Sequence, residues 1–305
     1  MPYEPRKTYA LSELEYATDL EKAYGVHEDQ FAYYCLLQDQ LARFDNPPRA
    51  DNVDPALAAD VERKAAFLHE QGFKQTKPGL FEKTKYDFVH TTALYEGNTM
   101  SLKDVVLVLK EDAVIPDKTM SEHLEVKDIA DAFDRMLAFL EEGRPLTVAL
   151  ANELHAIAAR HLEGCSWPGE LRPDQRFIDT SNIMPPPPKR VPALLEAAIQ
   201  RYRANPTPEQ AALFHLEFED IHPYEDGNGR VGRLVLNYQL MQQGLPAISL
   251  KEDPDSIREY YAAIEHFTKD IEGRNGSEMV NLVLKALNLS ASRAVAEIEG
   301  SGKSA

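Results

Sequence analysis

Two helical patterns joined by the glycine-rich turn HPYEDGNGRVGR, residues His222 to Arg233, constrain the fold of this chain more than any other stretch. Ahead of the turn, Thr207 can cap a helix that has Pro208 in its first position. Apolar residues recur at steps of three and four on both sides of the turn, which predicts two helices, each buried along one face. These positions are Ala211, Phe214, Phe218 and Ile221 before the turn, and Val231, Leu234, Val235, Tyr238 and Met241 after it.

The turn has the composition of a phosphate-binding loop. Gly227 and Gly229 permit backbone conformations closed to other residues, so several N–H groups around Asn228 can converge on one anion. The positive end of the second helix adds to that attraction. Arg230 and Arg233, three residues apart, lie on one helical face and can each bind phosphate oxygens with paired N–H groups. We interpret the set as a polyphosphate cradle.

Two further residues of the turn carry reactive chemistry. His222 can gain and lose a proton near neutral pH without a large pKa shift, which makes it the candidate base. Asp226 offers a hard oxygen ligand for a magnesium ion that would itself bind phosphate oxygens. Taken singly, a GNG is usually a plain turn and arginines on a helix are usually solvated. Their coincidence within twelve residues favours a functional site.

The segment from His222 to Arg233 resembles the signature of the Fic family of nucleotidyltransferases, with Tyr224 where that family usually has phenylalanine. The resemblance implies transfer of AMP from ATP to a hydroxyl side chain of a protein target, with pyrophosphate leaving. It implies His222 as the base, Asp226 as the Mg²⁺ ligand, and a nucleotide-binding group made of Gly227, Asn228, Gly229, Arg230 and Arg233. A kinase-like branch has lysine in place of Gly229, so the glycine favours AMP transfer over phosphate transfer.

A second motif lies N-terminal to the signature, in the sequence TTALYEGN. Glu96 is an acid at the end of a predicted helix (about residues 84–97), where the helix dipole disfavours it. A solvated glutamate beside a capping glycine is the alternative interpretation. Thr92, Glu96 and Gly97 match the inhibitory motif of the Fic family. The resemblance implies that Glu96 pairs with Arg233 and keeps the enzyme inactive; some relatives use this glutamate to remove AMP, so the reverse activity stays open.

Residues 169–184 depart from helical periodicity, and the four prolines that follow end the segment stiffly. The pattern fits either a surface loop or a short hairpin over about residues 175–184. In the Fic family a flap at this place, after an element that Gly169 and Arg172 match, aligns the target backbone by strand addition. The resemblance therefore implies a target-binding flap, with Ile178, Asp179, Thr180 and Ser181 as its candidate residues.

A tyrosine pair, Tyr260 and Tyr261, follows the signature on a helix that starts at Asp253 and Pro254. In relatives the first tyrosine of such a pair borders the adenine, which makes Tyr260 a candidate nucleotide contact. Packing in the core is the alternative interpretation.

The composition limits the kinds of partner that we expect the protein to bind. With 33 basic and 50 acidic residues the net charge is −17, so a nucleic-acid backbone would be repelled. We find neither a membrane-spanning apolar run nor a signal peptide, and the cysteines, Cys35 and Cys165, are too few for a disulfide scaffold. A cytoplasmic protein is expected, with ATP and a protein as partners and without nucleic acid or membrane.

We therefore predict an all-α fold. Residues 1–80 form a helical N-terminal extension, residues 81–270 a Fic-type helical core with a small β-hairpin flap, and residues 271–305 a last helix, over 277–298, with a flexible tail. The N-terminal extension is either plain structure or a layer for target docking or a homodimer. Two other functions stay open, a hydrolase that strips AMP from its target and a silent nucleotide-binding module.

Overall fold

The computed structural model describes residues 31–73, 78–176, 184–250 and 253–301, and within them it is helical. Eleven α helices occur in these ranges: α1 (Phe31–Gln40), α2 (Pro55–Glu70), α3 (Pro78–Tyr95), α4 (Leu102–Glu111), α5 (Met120–Glu141), α6 (Val148–Ala158), α7 (Val191–Ala204), α8 (Pro208–Ile221), α9 (Asn228–Gln242), α10 (Pro254–Lys269) and α11 (Ser277–Ser301). Short 3-10 helices cover Leu41–Asp45 and Pro188–Arg190. The described residues contain no β strand, which confirms the all-α prediction. Most of the expected hairpin (residues 177–183) and the first 30 residues of the expected N-terminal extension fall outside them.

The two helices of the signature lie at the centre of the fold. α8 begins as predicted, with Thr207 Oγ1 accepting a hydrogen bond from the Gln210 amide and Pro208 in the first position. It packs against α7, α9, α10 and α11, while α9 packs against α3, α5 and α6. Every residue from Arg230 to Leu240 is buried. The prediction that α9 is buried along one face is therefore wrong, because neighbouring helices cover it on all sides.

A buried charge cluster ties both ends of the described chain to α8. Arg43 donates from Nε to Asp220 Oδ1 (3.0 Å), and Arg274 binds the other oxygen of the same carboxylate. All three side chains are fully buried, so each arginine neutralises a charge that would otherwise be costly to bury. The segment around Arg43 is thus held against α8 by a buried ion pair.

The C-terminal helix is longer than expected. α11 packs along α2 and extends to Ser301, whereas the sequence predicted an end at Ile298 followed by a flexible tail. Ile298 packs against the small apolar cluster around Leu68, and the helix continues for three residues beyond this contact. None of the helices in the described ranges combines the length and apolar character needed to cross a lipid bilayer.

Candidate functional site

Two residues of the signature turn have a left-handed backbone conformation. One is a glycine, as the sequence predicts, and the other is a histidine. α8 ends at Ile221, and His222 follows in the left-handed region, with φ 51° and ψ 63°. Gly227, the residue that caps α9, is also left-handed, with φ 75°. A left-handed conformation is uncommon for a histidine, so the surrounding contacts must hold His222 in place.

Asn228 closes the turn. Its Oδ1 accepts a hydrogen bond from the Tyr224 amide (2.9 Å), and its Nδ2 donates to the Tyr224 carbonyl (3.0 Å). The side chain is buried and fully used by the backbone, so only the amide of Asn228 can face an anion. The sequence did not foresee this internal role for the side chain.

The aromatic residue of the signature packs against α6 and is hydrogen-bonded to it. Tyr224 is fully buried and stacks on His155, with ring centroids 3.8 Å apart and planes 6° from parallel. Its hydroxyl donates to Asn152 Oδ1 (2.9 Å), a bond that a phenylalanine could not make. The departure from the family pattern therefore keeps the ring and adds a polar contact.

His155 also fixes the loop on both of its nitrogens. Nδ1 accepts a hydrogen bond from the Gly169 amide (2.8 Å), so Nε2 must carry the proton that it donates to the Asp226 carbonyl (3.0 Å). Burial lowers the pKa of His155 to about 4, which keeps the ring neutral as this arrangement requires. No local pattern in the sequence reports contacts with residues 169 and 226, so this role of His155 could not be predicted from the sequence.

The start of α9 presents its first amides without a side-chain cap. The Val231 amide makes the first helical bond, to the Gly227 carbonyl (3.2 Å), and no side chain of Gly227 can cap the amides before it. The amides of Asn228, Gly229 and Arg230 therefore stand at the positive end of a buried helix. This geometry suits a phosphate group.

Arg233 is buried against the inhibitory motif. Its Nη2 forms an ion pair with Glu96 Oε1 and donates to the Thr92 carbonyl (3.3 Å). The pair lies directly over Gly229, where an added Cβ would be 2.6 Å from Glu96 Oε1 and 3.0 Å from Arg233 Nη1. A glycine at position 229 is thus required for this contact.

Arg230 has a carboxylate partner that the sequence did not reveal. Its Nη2 lies 2.7 Å from Glu125 Oε1, and Asn98 donates from Nδ2 to the other oxygen of Glu125 (2.8 Å). Burial raises the pKa of the Glu125 carboxyl, while the Arg230 charge opposes the shift. Both signature arginines are therefore paired with carboxylates, one from the end of α3 and one from α5.

His222 is held by its neighbour Arg172. Arg172 Nε donates to the His222 carbonyl (2.7 Å), and the Arg172 amide donates to the Pro223 carbonyl (2.9 Å). Burial lowers the pKa of the His222 imidazole to about 4, with the Arg172 charge acting in the same direction. A hydrogen bond from the ring to the Glu219 carbonyl opposes the shift. At neutral pH the ring is uncharged, with its other nitrogen available to accept a proton.

Tyr260 lies beside Arg233 rather than on an open surface. It is buried, its hydroxyl is 2.8 Å from His215 Nε2, and Arg233 Nη1 donates to that hydroxyl over 3.4 Å. Tyr95 and Tyr261 pack edge-on against the Tyr260 ring. These contacts agree with the core-packing interpretation and connect the tyrosine to the signature through its hydroxyl.

Asp226 is the exposed acid of the turn. Its Oδ1 accepts a hydrogen bond from the Gly227 amide (2.6 Å). No group of three or more His, Cys, Asp or Glu side chains within the described residues could form a protein-only metal cage. A single exposed carboxylate is still suited to Mg²⁺, which keeps several waters and completes its shell with substrate phosphates.

The four flap candidates, Ile178, Asp179, Thr180 and Ser181, fall outside the described residues, so their placement stays a prediction. The residues before and after this segment are connected by hydrogen bonds from Arg172. Arg172 donates from Nη2 to the Pro186 carbonyl (2.5 Å) and from Nη1 to the Asp174 carbonyl (3.0 Å). The flanks of this segment therefore lie next to His222.

Comparison with known proteins agrees with this geometry. Residues 145–240 match the Fic/DOC family. The chain is 30% identical to the protein adenylyltransferase fic-1 of Caenorhabditis elegans over 195 residues, which cover 61% of this chain and 37% of that protein. It is 28% identical to the protein adenylyltransferase Fic of Nematostella vectensis over 229 residues, 72% of this chain and 52% of that protein. The chain thus spans about half, or less, of the length of these relatives.

Solved structures share the fold at lower identity. A Fic domain containing signaling protein from Bacteroides thetaiotaomicron VPI-5482 has a TM-score of 0.69 at 22% identity, covering 80% of this chain and 97% of that one. Fic-1 (residues 134–508) of Caenorhabditis elegans has a TM-score of 0.64 at 22% identity, covering 95% and 84%. IbpAFic2 in complex with adenylylated Cdc42 has a TM-score of 0.51 at 17% identity, covering 92% and 87%. Residues 145–240 of the chain therefore form a domain of the Fic/DOC family.

Proposed function

We propose that this chain transfers AMP from ATP to a Ser, Thr or Tyr hydroxyl of a protein target. The observation that carries the proposal is the juxtaposition of an uncharged His222 with the uncapped start of α9, because it places a base beside an anion-binding helix end. Relatives named protein adenylyltransferases support it, as does the adenylylated Cdc42 bound to one structural neighbour.

In the proposed reaction the residues of the chain act mainly by position and charge. The target hydroxyl gives its proton to His222, and its oxygen attacks the α-phosphorus of ATP. The bond from the α-phosphorus to the bridging oxygen of the β-phosphate breaks, and pyrophosphate leaves. The amides at the start of α9, with Arg230 and Arg233, stabilise the negative charge on the phosphates.

Asp226 is the residue of the signature suited to hold a metal ion. Asp226 would hold Mg²⁺, which would neutralise phosphate charge when bound. The carboxylate is exposed and its Oδ1 is oriented by the Gly227 amide, so it fits this role. We place the reaction in the cytoplasm, in keeping with two free cysteines.

Autoinhibition by Glu96 is part of the proposal. The carboxylate is paired with Arg233 over Gly229, in the space where a phosphate would bind. While this pair is formed, the outer phosphates of a nucleotide could not reach Arg233, so Glu96 must move. Removing the carboxylate should therefore raise transfer.

The test is intact-mass spectrometry of self-modification after incubation with magnesium and each nucleotide. We expect a gain of one or more AMP units with ATP in Glu96→Gly, little in the wild type, and none in Glu96→Gly combined with His222→Ala. Glu142→Gly is the matched control, because it removes an exposed glutamate that also follows a helix and also pairs with an arginine.

Three results would contradict the proposal. If Glu96→Gly binds ATP but shows neither self-modification nor release of AMP, the chain is a nucleotide-binding module. If transfer persists when His222 is replaced, His222 is not the base. A protein that removes AMP from modified substrates but never adds it would instead select the reverse reaction.

A further inference from the structure

Glu219 is a buried carboxyl group that the proposed reaction does not use. It lies on α8, one turn before His222, and its side chain is 10% exposed. Its Oε1 is buried and has no hydrogen-bond partner among the described residues. A buried, unpartnered carboxyl oxygen is costly, so its position next to the signature calls for a reason.

Two glycines of α9 place Glu219 and Glu96 on one face of the helix. An added Cβ on Gly229 would lie 2.6 Å from Glu96 Oε1, and an added Cβ on Gly232 would lie 2.6 Å from Glu219 Oε1. Residues three apart are neighbours on a helix surface. The two carboxyl groups therefore approach α9 at adjacent positions. Arg233 pairs with Glu96 directly and is connected to Glu219 through two side chains: its Nη1 donates to the Tyr260 hydroxyl (3.4 Å), which lies 2.8 Å from His215 Nε2, and that nitrogen is 3.9 Å from Glu219 Oε1.

The ionisation states of the groups around Arg233 decide which of them can balance its charge. On α8, burial lowers the pKa of His215 to about 3 and that of His222 to about 4, so both rings are neutral at pH 7. On α10, burial raises the pKa of Tyr260, which stays a phenol. The charges of Glu96 and Glu219 both reach the guanidinium, as does that of Glu125, which is paired with Arg230.

Glu96 and Glu219 also act on each other. Burial raises the pKa of Glu219 to about 7; the Arg233 charge lowers it and the Glu96 charge raises it. While Glu96 is paired with Arg233, its negative charge thus disfavours a second charge on Glu219. Without Glu96, the same guanidinium would favour the ionised form of Glu219.

We propose that Glu219 is a positioning residue for Arg233, a second carboxyl group that takes over as its counter-ion when Glu96 withdraws. Arg233 then keeps its place against Tyr260 and α9 during the exchange, and its donors toward Glu96 become free for a phosphate. The last step, the approach of the nucleotide, rests on the proposed function. The exchange between two carboxyl groups does not.

The first test is a double-mutant cycle on stability. Glu219→Gln alone should change the unfolding equilibrium constant by less than about threefold, because Glu96 still neutralises Arg233. In the Glu96→Gly background the same substitution should increase unfolding by on the order of tenfold more, because a buried guanidinium is then left without a carboxylate. Glu217→Gln, a buried glutamate of α8 that pairs with Arg201, is the control and should show equal effects in both backgrounds.

The second test measures the ionisation of Glu219 directly, by the carbon chemical shift of its carboxyl group against pH. Its pKa should fall by more than one unit when Glu96 is replaced by glycine. A purely structural role would leave that pKa unchanged. This measurement needs neither activity nor the double variant, so it decides the proposal even if the double variant does not fold.

The third test is ATP binding by calorimetry, in which Glu96→Gly with Glu219→Gln should bind on the order of tenfold more weakly than Glu96→Gly alone. The reason is that the ligand itself must then order Arg233. Additive stability effects or an unshifted Glu219 pKa would overturn the inference. If Glu96→Gly binds no ATP at all, the proposed function fails, while the cycle and the pKa still test the exchange of counter-ions.

Discussion

Arg230 and Glu125 form a nearly buried ion pair in which Nη2 lies 2.7 Å from Oε1, and the Asn98 amide holds the far oxygen of that carboxylate. Glu125 thus brings a carboxylate of α5 to the signature. Together with the pair between Glu96 and Arg233, this contact means that each arginine of the proposed cradle has its charge balanced within the chain. A polyphosphate must share or displace these carboxylates to bind.

Replacing Glu125 by glutamine should destabilise the protein. The substitution keeps the size of the side chain but leaves a buried guanidinium without a counter-charge, which costs about 3 kcal/mol of unfolding free energy. Urea denaturation measures it, with Glu142→Gln as the control. The Glu142 side chain is 47% exposed, so its loss should cost less than about 0.5 kcal/mol. Equal stability of the two variants would show that the Arg230 pair contributes little.

Arg172→Lys should lower the rate of transfer more than it weakens ATP binding. Arg172 donates from separate nitrogens to the carbonyls of His222, Asp174 and Pro186, and one ammonium group cannot reproduce that geometry. A displaced His222 costs about 100-fold in rate, since small shifts of a reacting group are expensive. ATP affinity should change less than about threefold, because the start of α9 is not altered.

Initial rates and calorimetry in the Glu96→Gly background measure the two quantities. Arg160→Lys serves as the control, because the Arg160 side chain is 46% exposed and pairs with the exposed Asp131. A variant at position 172 that keeps most of its transfer rate would show that its contacts are not needed to place the base.

The pH dependence of transfer should be flat near neutrality. His222 must be unprotonated to accept a proton, and burial lowers its pKa from 6.5 to about 4. Activity of Glu96→Gly should therefore stay constant from about pH 6 to pH 8 and fall below about pH 5. A rise in rate between pH 6 and 7 would instead indicate a base with an ordinary pKa.

The same pKa values affect folding, so structure must be checked at each pH. His155 and His222 both bind protons less readily in the folded state, with pKa values of about 4 against 6.5. Each contributes stability that is fully present above pH 6.5 and is lost as the pH falls toward 4. Circular dichroism at each pH separates loss of the fold from protonation of the base.

Local signals in the sequence were sufficient to predict the helices of the signature and the turn between them. Thr207 and Pro208 mark the start of α8, and Gly227 marks the turn, because caps and left-handed conformations depend on residues next to one another. The motif resemblance supplied the pair of Glu96 with Arg233, which are 137 residues apart and share no local pattern.

Contacts across the fold could not be predicted in the same way. Glu125, His155 and Glu219 touch the signature from different helices or a different turn of α8, and no spacing in the sequence reports such proximity. Hydrophobic periodicity also underestimated the burial of α9, because periodicity shows which residues are apolar but not how many helices surround them.

Gly232→Ala should have two opposite effects on stability, one from helix propensity and one from packing. In a helix interior, alanine is more favourable than glycine by about 1 kcal/mol. At this position, however, the new Cβ would lie 2.6 Å from Glu219 Oε1 and 3.0 Å from His215 Cε1. His215 is fully buried and bonded to Tyr260, so it cannot move away. We expect a net loss of about 1–3 kcal/mol of unfolding free energy, measured by urea denaturation.

Gly300→Ala in α11 is the control, since its added Cβ meets nothing within 4 Å, and it should be neutral or stabilising. Stabilisation of Gly232→Ala to the same extent would mean that Glu219 and His215 do not pack against α9 as described.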